Sequence, residues 1–262
     1  MSRDFQNRSR SRSGISQLMD DLGKAMSGST DMLMLGGGNP AHIPEVQNYI
    51  REALERILAT EGRFEQMIGN YDTPMGITAF RVAIAELFSN EYGWPITEKN
   101  IVLTNGSQSA FFALFNILAG DDKHILLPIT PEYIGYADQG LRDDLFIGNK
   151  PEIEHLDNQQ FKYHVDFETL SLDDSFSAIC SSRPTNPTAN VLSNAEMTGL
   201  LDLAEKHDIP FIIDNAYGTP FPNIIYTEAD PFWHKNSIVC MSLSKFGLPS
   251  VRTGIVIADE SL

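Results

Sequence analysis

Apolar residues in the first part of the chain recur at helical spacing. Over 43–60, IPEVQNYIREALERILAT, the side chains Val46, Ile50, Leu54, Ile57 and Leu58 fall near a 3.6-residue period behind Pro44, which suits a first helical turn. The spacing predicts an amphipathic helix there and a second over 76–92, where Phe80, Ile84, Leu87 and Phe88 share a face. Beyond residue 100 the texture changes. Short apolar runs at 101–104 (IVLT), 124–127 (HILL), 144–148 (DLFIG), 177–182 (SAICSS), 210–214 (PFIID), 237–243 (SIVCMSL) and 254–258 (GIVIA) alternate with helical stretches at 107–118 and 194–206. Runs of that kind read as strands buried on both faces. Their alternation with helices predicts an α/β three-layer sandwich around a mainly parallel central sheet.

In such a sheet, ligands bind beyond the carboxyl ends of the strands. The residues that follow each run therefore carry the chemistry: Asn105 to Gln108, Pro131-Glu132-Tyr133, Arg183 to Pro187, Asp214 to Tyr217, and Ser242 to Arg252.

Composition narrows the partners. The 262 residues carry 19 Lys plus Arg against 35 Asp plus Glu, a formal net charge of −16 that disfavours nucleic acid and anionic membranes. Arg3, Arg8, Arg10 and Arg12 sit in a Ser-rich start that reads as a solvated terminus. No apolar run approaches the length of a membrane span and no signal-peptide core precedes the first helix, so the expected location is cytoplasmic. Cys180 and Cys240 lie inside strand-like runs without metal-ligand spacing and read as buried thiols.

Thr104-Asn105-Gly106-Ser107-Gln108 opens directly into an apolar helix, whose free N–H groups and positive end favour an anion, although Ser107 read alone is more often an ordinary helix cap. Arg252 can grip a phosphate with two parallel hydrogen bonds, aided by Ser242 and Ser244. The glycines 36–38 have no preceding strand and no dinucleotide spacing, and no P-loop is present. Asp214 ends a buried run with no basic residue near it in sequence; it reads either as a turn cap or as the partner of a ligand's protonated ring nitrogen. Lys245, at the end of the SIVCMSL run, is placed to lose hydration and act as a nucleophile toward a carbonyl carbon. Aldehyde, ring nitrogen, phosphate and a flat ring for Tyr133 to stack on together describe pyridoxal phosphate.

SLSKFGLPSVRTG resembles the lysine segment of the fold-type I pyridoxal-phosphate enzymes, and NYDTPMG, TNGSQSAFF, PEYIGYAD, SRPTNPTAN and IDNAYGTPFP resemble that family's other motifs in its usual order. LGGGNPAHIPE, FKYHVDFE and MSLSKFGLP are similar, more narrowly, to aminotransferases acting on valine and pyruvate. The resemblance implies an amino-group transfer between L-valine, or a similar aliphatic amino acid, and pyruvate, with pyridoxal 5'-phosphate as cofactor. It implies that Lys245 is the covalent anchor and proton shuttle, that Asp214 keeps the ring nitrogen protonated, and that Tyr217 and Asn186 bond the phenolic oxygen. Tyr133 would stack on the ring, and Ser107, Gln108, Ser242, Ser244 and Arg252 would hold the phosphate. Gly38 would meet the substrate carboxylate through its N–H. Tyr71 would reach the neighbouring subunit's phosphate, which makes the expected assembly a homodimer with a shared site.

The same resemblance divides the chain into an arm and small-domain segment over 1–40 and a pyridoxal-phosphate-binding large domain over 41–262, incomplete at its C-terminus. The family pattern continues beyond this point into a smaller domain that carries the arginine clamping the substrate's α-carboxylate. Ala189 stands where the family usually has glycine, and seven residues separate Lys245 from Arg252, as in some branches. A cofactor-binding domain without turnover, and a lyase or decarboxylase on the same fold, are the alternative readings.

Overall fold

The computed structural model describes residues 14–28 and 38–262. The four arginines of the N-terminal arm, Gly36 and Gly37 lie outside the described residues. Helices α1 (Gly14–Met26), α2 (Pro44–Ala59), α3 (Arg63–Gly69) and α4 (Thr78–Tyr92) precede the first strand. Then follow β1 (Ile101–Asn105), α5 (Ser107–Ala119), β2 (His124–Leu127), β3 (Phe146–Gly148), β4 (Glu152–His155) and β5 (Phe161–His164). The chain continues through β6 (Phe176–Ser182), α6 (Asn194–Lys206), β7 (Phe211–Asp214), β8 (Ser237–Ser242) and β9 (Thr253–Ile257).

Seven strands form one sheet in the order β1-β9-β8-β7-β6-β2-β3. All run the same way except β9, which is antiparallel to both its neighbours. The apolar runs thus become strands as their composition predicts, and the reversal of β9 has a local cause. The loop from Leu243 to Arg252 contains only a short 3-10 turn at Pro249–Val251 and no crossover helix, so the strand returns beside β8.

Alternating side chains divide the core into two layers. Ile179, Phe211, Ile213, Val239 and Met241 pack on one face with Ile84 and Phe88 of α4 and Met197, Leu200 and Ala204 of α6. Ala178, Cys180, Ile212, Ile238 and Cys240 pack on the other with Phe111 and Phe115 of α5. Both cysteines are buried and unbridged.

Two elements depart from the simple strand-helix alternation. The β4–β5 hairpin pairs Glu152↔His164 through His155↔Phe161 outside the main sheet, and its polar β4 strand is exposed throughout. Helix α2 buries none of its residues: Leu54 and Leu58 of the predicted apolar stripe are exposed, while Val46, Ile50 and Ile57 are half covered. No helix among the described residues is long and apolar enough to cross a membrane.

Candidate active site

The reversal of β9 is what assembles the site. Because β9 starts where β8 ends, Arg252 sits at the carboxyl ends of the parallel strands, with Thr253 paired to Asn105 and Gly254 to Ser242. That places the guanidinium against the start of α5. Gly106 has φ 78°, and a Cβ there would run into the Arg252 guanidinium; a Cβ on Gly254 would lie 2.6 Å from Ser107 N. Glycine is required at both for the three segments to approach this closely. No side chain caps α5, so its first-turn N–H groups face no competing side-chain acceptor. Arg252 itself adopts φ 55° and donates from Nη1 to Ser244 Oγ at 3.3 Å and to Pro249 O at 3.1 Å. Ser244 N donates in turn to Ser242 Oγ at 3.1 Å. Uncapped helix N–H groups, two serines and an arginine make a cup suited to a phosphate.

Substituting Gly106→Ala should therefore cost about 1–2 kcal/mol in denaturant unfolding, the penalty for a left-handed non-glycine residue. It should also displace Arg252, so that inorganic phosphate, expected to raise the melting temperature of the native chain, no longer does so.

Asp214, 6% exposed at the end of β7, lines the same cavity as Arg252. Its carboxylate accepts from Tyr136 Oη at 2.8 Å and from Ala216 N at 3.0 Å. Burial pushes it up to about 6, against the pull of these donors and of the Lys245 charge. Among the described residues no lysine or arginine forms an ion pair with it. A buried acid with donors but no cation is suited to a ligand that brings one.

Lys245, Tyr217, Asn186 and Tyr133 line that cavity too. Lys245 Nζ lies 5.3 Å from the Tyr217 ring centroid, and its side chain is half-buried, more open to solvent than an amine closing an apolar strand was expected to be. Asn186 Nδ2 lies 3.4 Å from Tyr217 Oη, a long contact. Gln108 Nε2 donates to Tyr133 Oη at 3.0 Å, while Gln108 Oε1 is buried without a partner in the wall of the cavity.

One cavity of about 640 Å³ collects these groups. Ser107, Gln108, Tyr133, Asn186, Asp214 and Tyr217 line it, as do Ser242, Ser244, Lys245, Arg252 and Gly38. Tyr71 stands apart, fully exposed at 105%. Ile15, Met19 and Leu22 of α1 close one side with apolar surface. Ala189, where glycine is usual, has φ 57°, which explains the glycine: its position is left-handed.

Two site residues escaped the sequence reading of chemistry. Tyr136 is the donor to Asp214, and Ser182, beside Asp214 in the sheet register, lines the cavity. Tyr136 follows Tyr133 by three residues, yet nothing in PEYIGYAD says which tyrosine faces the acid.

Phosphate cup, amine, aromatic wall and buried acid within one sheet-end cavity define an aminotransferase-like site, and the chain belongs to the class I and II aminotransferases, whose family model matches residues 30–262. The valine–pyruvate aminotransferase of Escherichia coli K12 is 51% identical over 255 residues, which cover 95% of this chain and 61% of that protein. The crystal structure of valine–pyruvate aminotransferase from Salmonella typhimurium LT2 matches with a TM-score of 0.83 and 51% identity, over 95% of this chain and 61% of that one. A putative amino-acid aminotransferase from Psychrobacter arcticum matches with a TM-score of 0.90 and 45% identity, over 100% of this chain and 64% of that one. The chain thus spans about three fifths of the length of these relatives.

Proposed function

We propose that this chain binds pyridoxal 5'-phosphate and transfers an amino group between an aliphatic amino acid of the valine type and pyruvate. The observation that carries the reading is the shared cavity, which brings the Lys245 amine, the Asp214 acid and the Ser107–Arg252 cup together. The residues fit the cofactor at each end: a cup that only glycine at 106 permits, and a buried acid without a cationic partner.

When bound, the cofactor supplies an aldehyde that takes up the amino group and a ring that withdraws electrons from the reacting carbon. Lys245 Nζ is the group that would hold it covalently and would move a proton to and from the substrate's α-carbon. Asp214, as carboxylate, accepts from the protonated ring nitrogen, and Tyr136 orients it. Tyr133 covers the ring face, while Tyr217 and Asn186 donate to its phenolic oxygen. Ser107, Gln108, Ser242, Ser244 and Arg252 hold the phosphate, and Gly38 N–H meets the substrate carboxylate. The apolar residues of α1 suit an aliphatic side chain.

The working form we infer is a cytoplasmic homodimer in which Tyr71 completes the neighbouring subunit's phosphate site. The full exposure of Tyr71, together with Tyr49, Leu54, Leu58, Met67 and Ile68 on and near α2 and α3, supports a partner on that face.

Scanning the purified chain with pyridoxal 5'-phosphate tests the reading. An absorbance band of lysine-bound cofactor should form, bleach on adding L-valine, and yield alanine when pyruvate follows. A band that ignores valine means cofactor binding without turnover, carbon dioxide release means a decarboxylase, and no band overturns the proposal.

A further inference from the structure

Glu132 lies between Pro131 and Tyr133 at the edge of the cavity wall, and no role in the chemistry above uses it. Part of the residue reaches the surface, but the carboxyl end turns inward and is saturated. Oε1 accepts from Ser182 N at 2.8 Å and Ser181 Oγ at 3.1 Å; Oε2 accepts from Ser182 Oγ at 2.6 Å and Tyr133 N at 3.2 Å. Each oxygen takes one backbone N–H, so neither can be exchanged for an amide NH₂ without setting donor against donor.

These bonds join two walls of the site. Tyr133 and Ser182 both line the cavity. Ser182 pairs with Asp214 in the β6–β7 register, and Arg183 N donates to Asp214 O at 3.0 Å. Electrostatics join them as well: burial first, then the Asp214 charge, pushes Glu132 up to about 7, against the pull of its donors. The other titratable groups that feel Glu132 are Tyr136 on its own loop and Cys180 on β6. Burial holds both far above their ordinary range, so they stay neutral. Glu132 and Asp214 are therefore the two carboxyls of this cluster whose charge varies near neutrality.

We propose that Glu132 is a positioning residue of the cofactor site: its carboxyl locks the Tyr133 wall to the strand pair carrying Asp214 and adds a second negative charge felt by a cation bound there. The assignment rests on the pyridoxal-phosphate reading. A negative charge favours the protonated form of the lysine-bound cofactor, so removing it must lower the pH at which the absorbance band titrates.

Pyridoxal 5'-phosphate is titrated into the full 262-residue native chain, Glu132→Gln, Glu132→Asp and Lys245→Ala, with Kd and the pH midpoint of the band as readouts. Glu132→Gln should bind about tenfold more weakly, the effect of one orphaned buried donor. Its midpoint should fall by about 0.5 pH unit or more. Glu132→Asp, which keeps the charge but shortens the reach, should bind more weakly with the midpoint held. Weaker binding by Glu132→Gln at an unmoved midpoint would mean a merely structural role and overturns the proposal, as does native behaviour in both readouts. If Glu132→Gln fails to fold, Glu132→Ala takes its place: weaker binding with a lowered midpoint upholds the assignment, an unmoved midpoint overturns it, and native affinity of Glu132→Asp overturns it as well. If the native chain shows a band that Lys245→Ala lacks, failure at Glu132 leaves the cofactor reading standing. A native chain without that band overturns both.

Discussion

Replacing Lys245 by alanine should abolish the absorbance band of lysine-bound cofactor and lower the amino-transfer rate by at least about a hundredfold, the low end of what a positioned proton-transfer group supplies. The expectation follows from geometry. Lys245 is the amine lining the cavity that Arg252 and Asp214 share, 5.3 Å from the Tyr217 ring, and its charge acts on Asp214. On the proposed function its loss would remove both the covalent anchor and the proton carrier and leave the cup at Ser107, Ser244 and Arg252 in place. Cofactor affinity should therefore fall far less than the rate, a split that equilibrium dialysis alongside a single-turnover assay resolves. A Lys245→Ala chain that keeps the band would move the anchor to another amine, and Lys162 is poorly placed for it: its Nζ donates to Val191 O at 2.7 Å, and it does not line the cavity.

The strands were legible because strands buried on both faces read as unbroken apolar runs. SAICSS and SIVCMS became β6 and β8 with side chains divided between two cores. Their polar ends were legible for the same reason: a polar residue closing such a run must have a partner. Direction was not legible at β9, since the apolar run GIVIA is the same read either way and only the connection decides. The reversal nevertheless governs the site, because it carries Arg252 back to Gly106.

Pairings across long stretches of sequence stayed hidden too. Tyr136 and Asp214 are 78 residues apart, and Glu132 and Ser182 are 50 apart. Each bond depends on which strands are neighbours, and the order β7-β6-β2 is a property of the sheet. Helix α2 shows the converse: its amphipathic spacing predicted the helix correctly, yet that spacing alone could not say that Leu54 and Leu58 would be left exposed.

The same buried acids should make the cofactor-free chain lose stability as pH rises from about 4 to 7. Burial raises Asp214 from the ordinary 3.8 to about 6, so between those values the folded chain keeps a proton that the unfolded chain has released. Stability is then greatest where the group is protonated and falls as pH climbs through the window. A shift of about two units corresponds to roughly 3 kcal/mol. Glu132, raised to about 7, extends the decline in the same direction. The groups of opposite sign, Asp166, Asp173, Asp259 and Glu196, are lowered and act only below their ordinary values of 3.8 and 4.5, outside a comparison of pH 5 with pH 8.

Thermal unfolding should thus show a melting temperature lower at pH 8 than at pH 5 by roughly 5–10 °C. Asp214→Asn should flatten the part of that slope below about pH 6, since the amide carries no charge to bury, and leave the part above it, which belongs to Glu132. A native chain with a flat profile, or an Asp214→Asn chain with the native slope, would place the uncompensated charge elsewhere. Pyridoxal 5'-phosphate should stabilise the chain more at pH 8 than at pH 5, because the ring cation relieves the acid only where the acid is ionised; the destabilisation of the free site and its affinity for that cation are one effect measured from two sides.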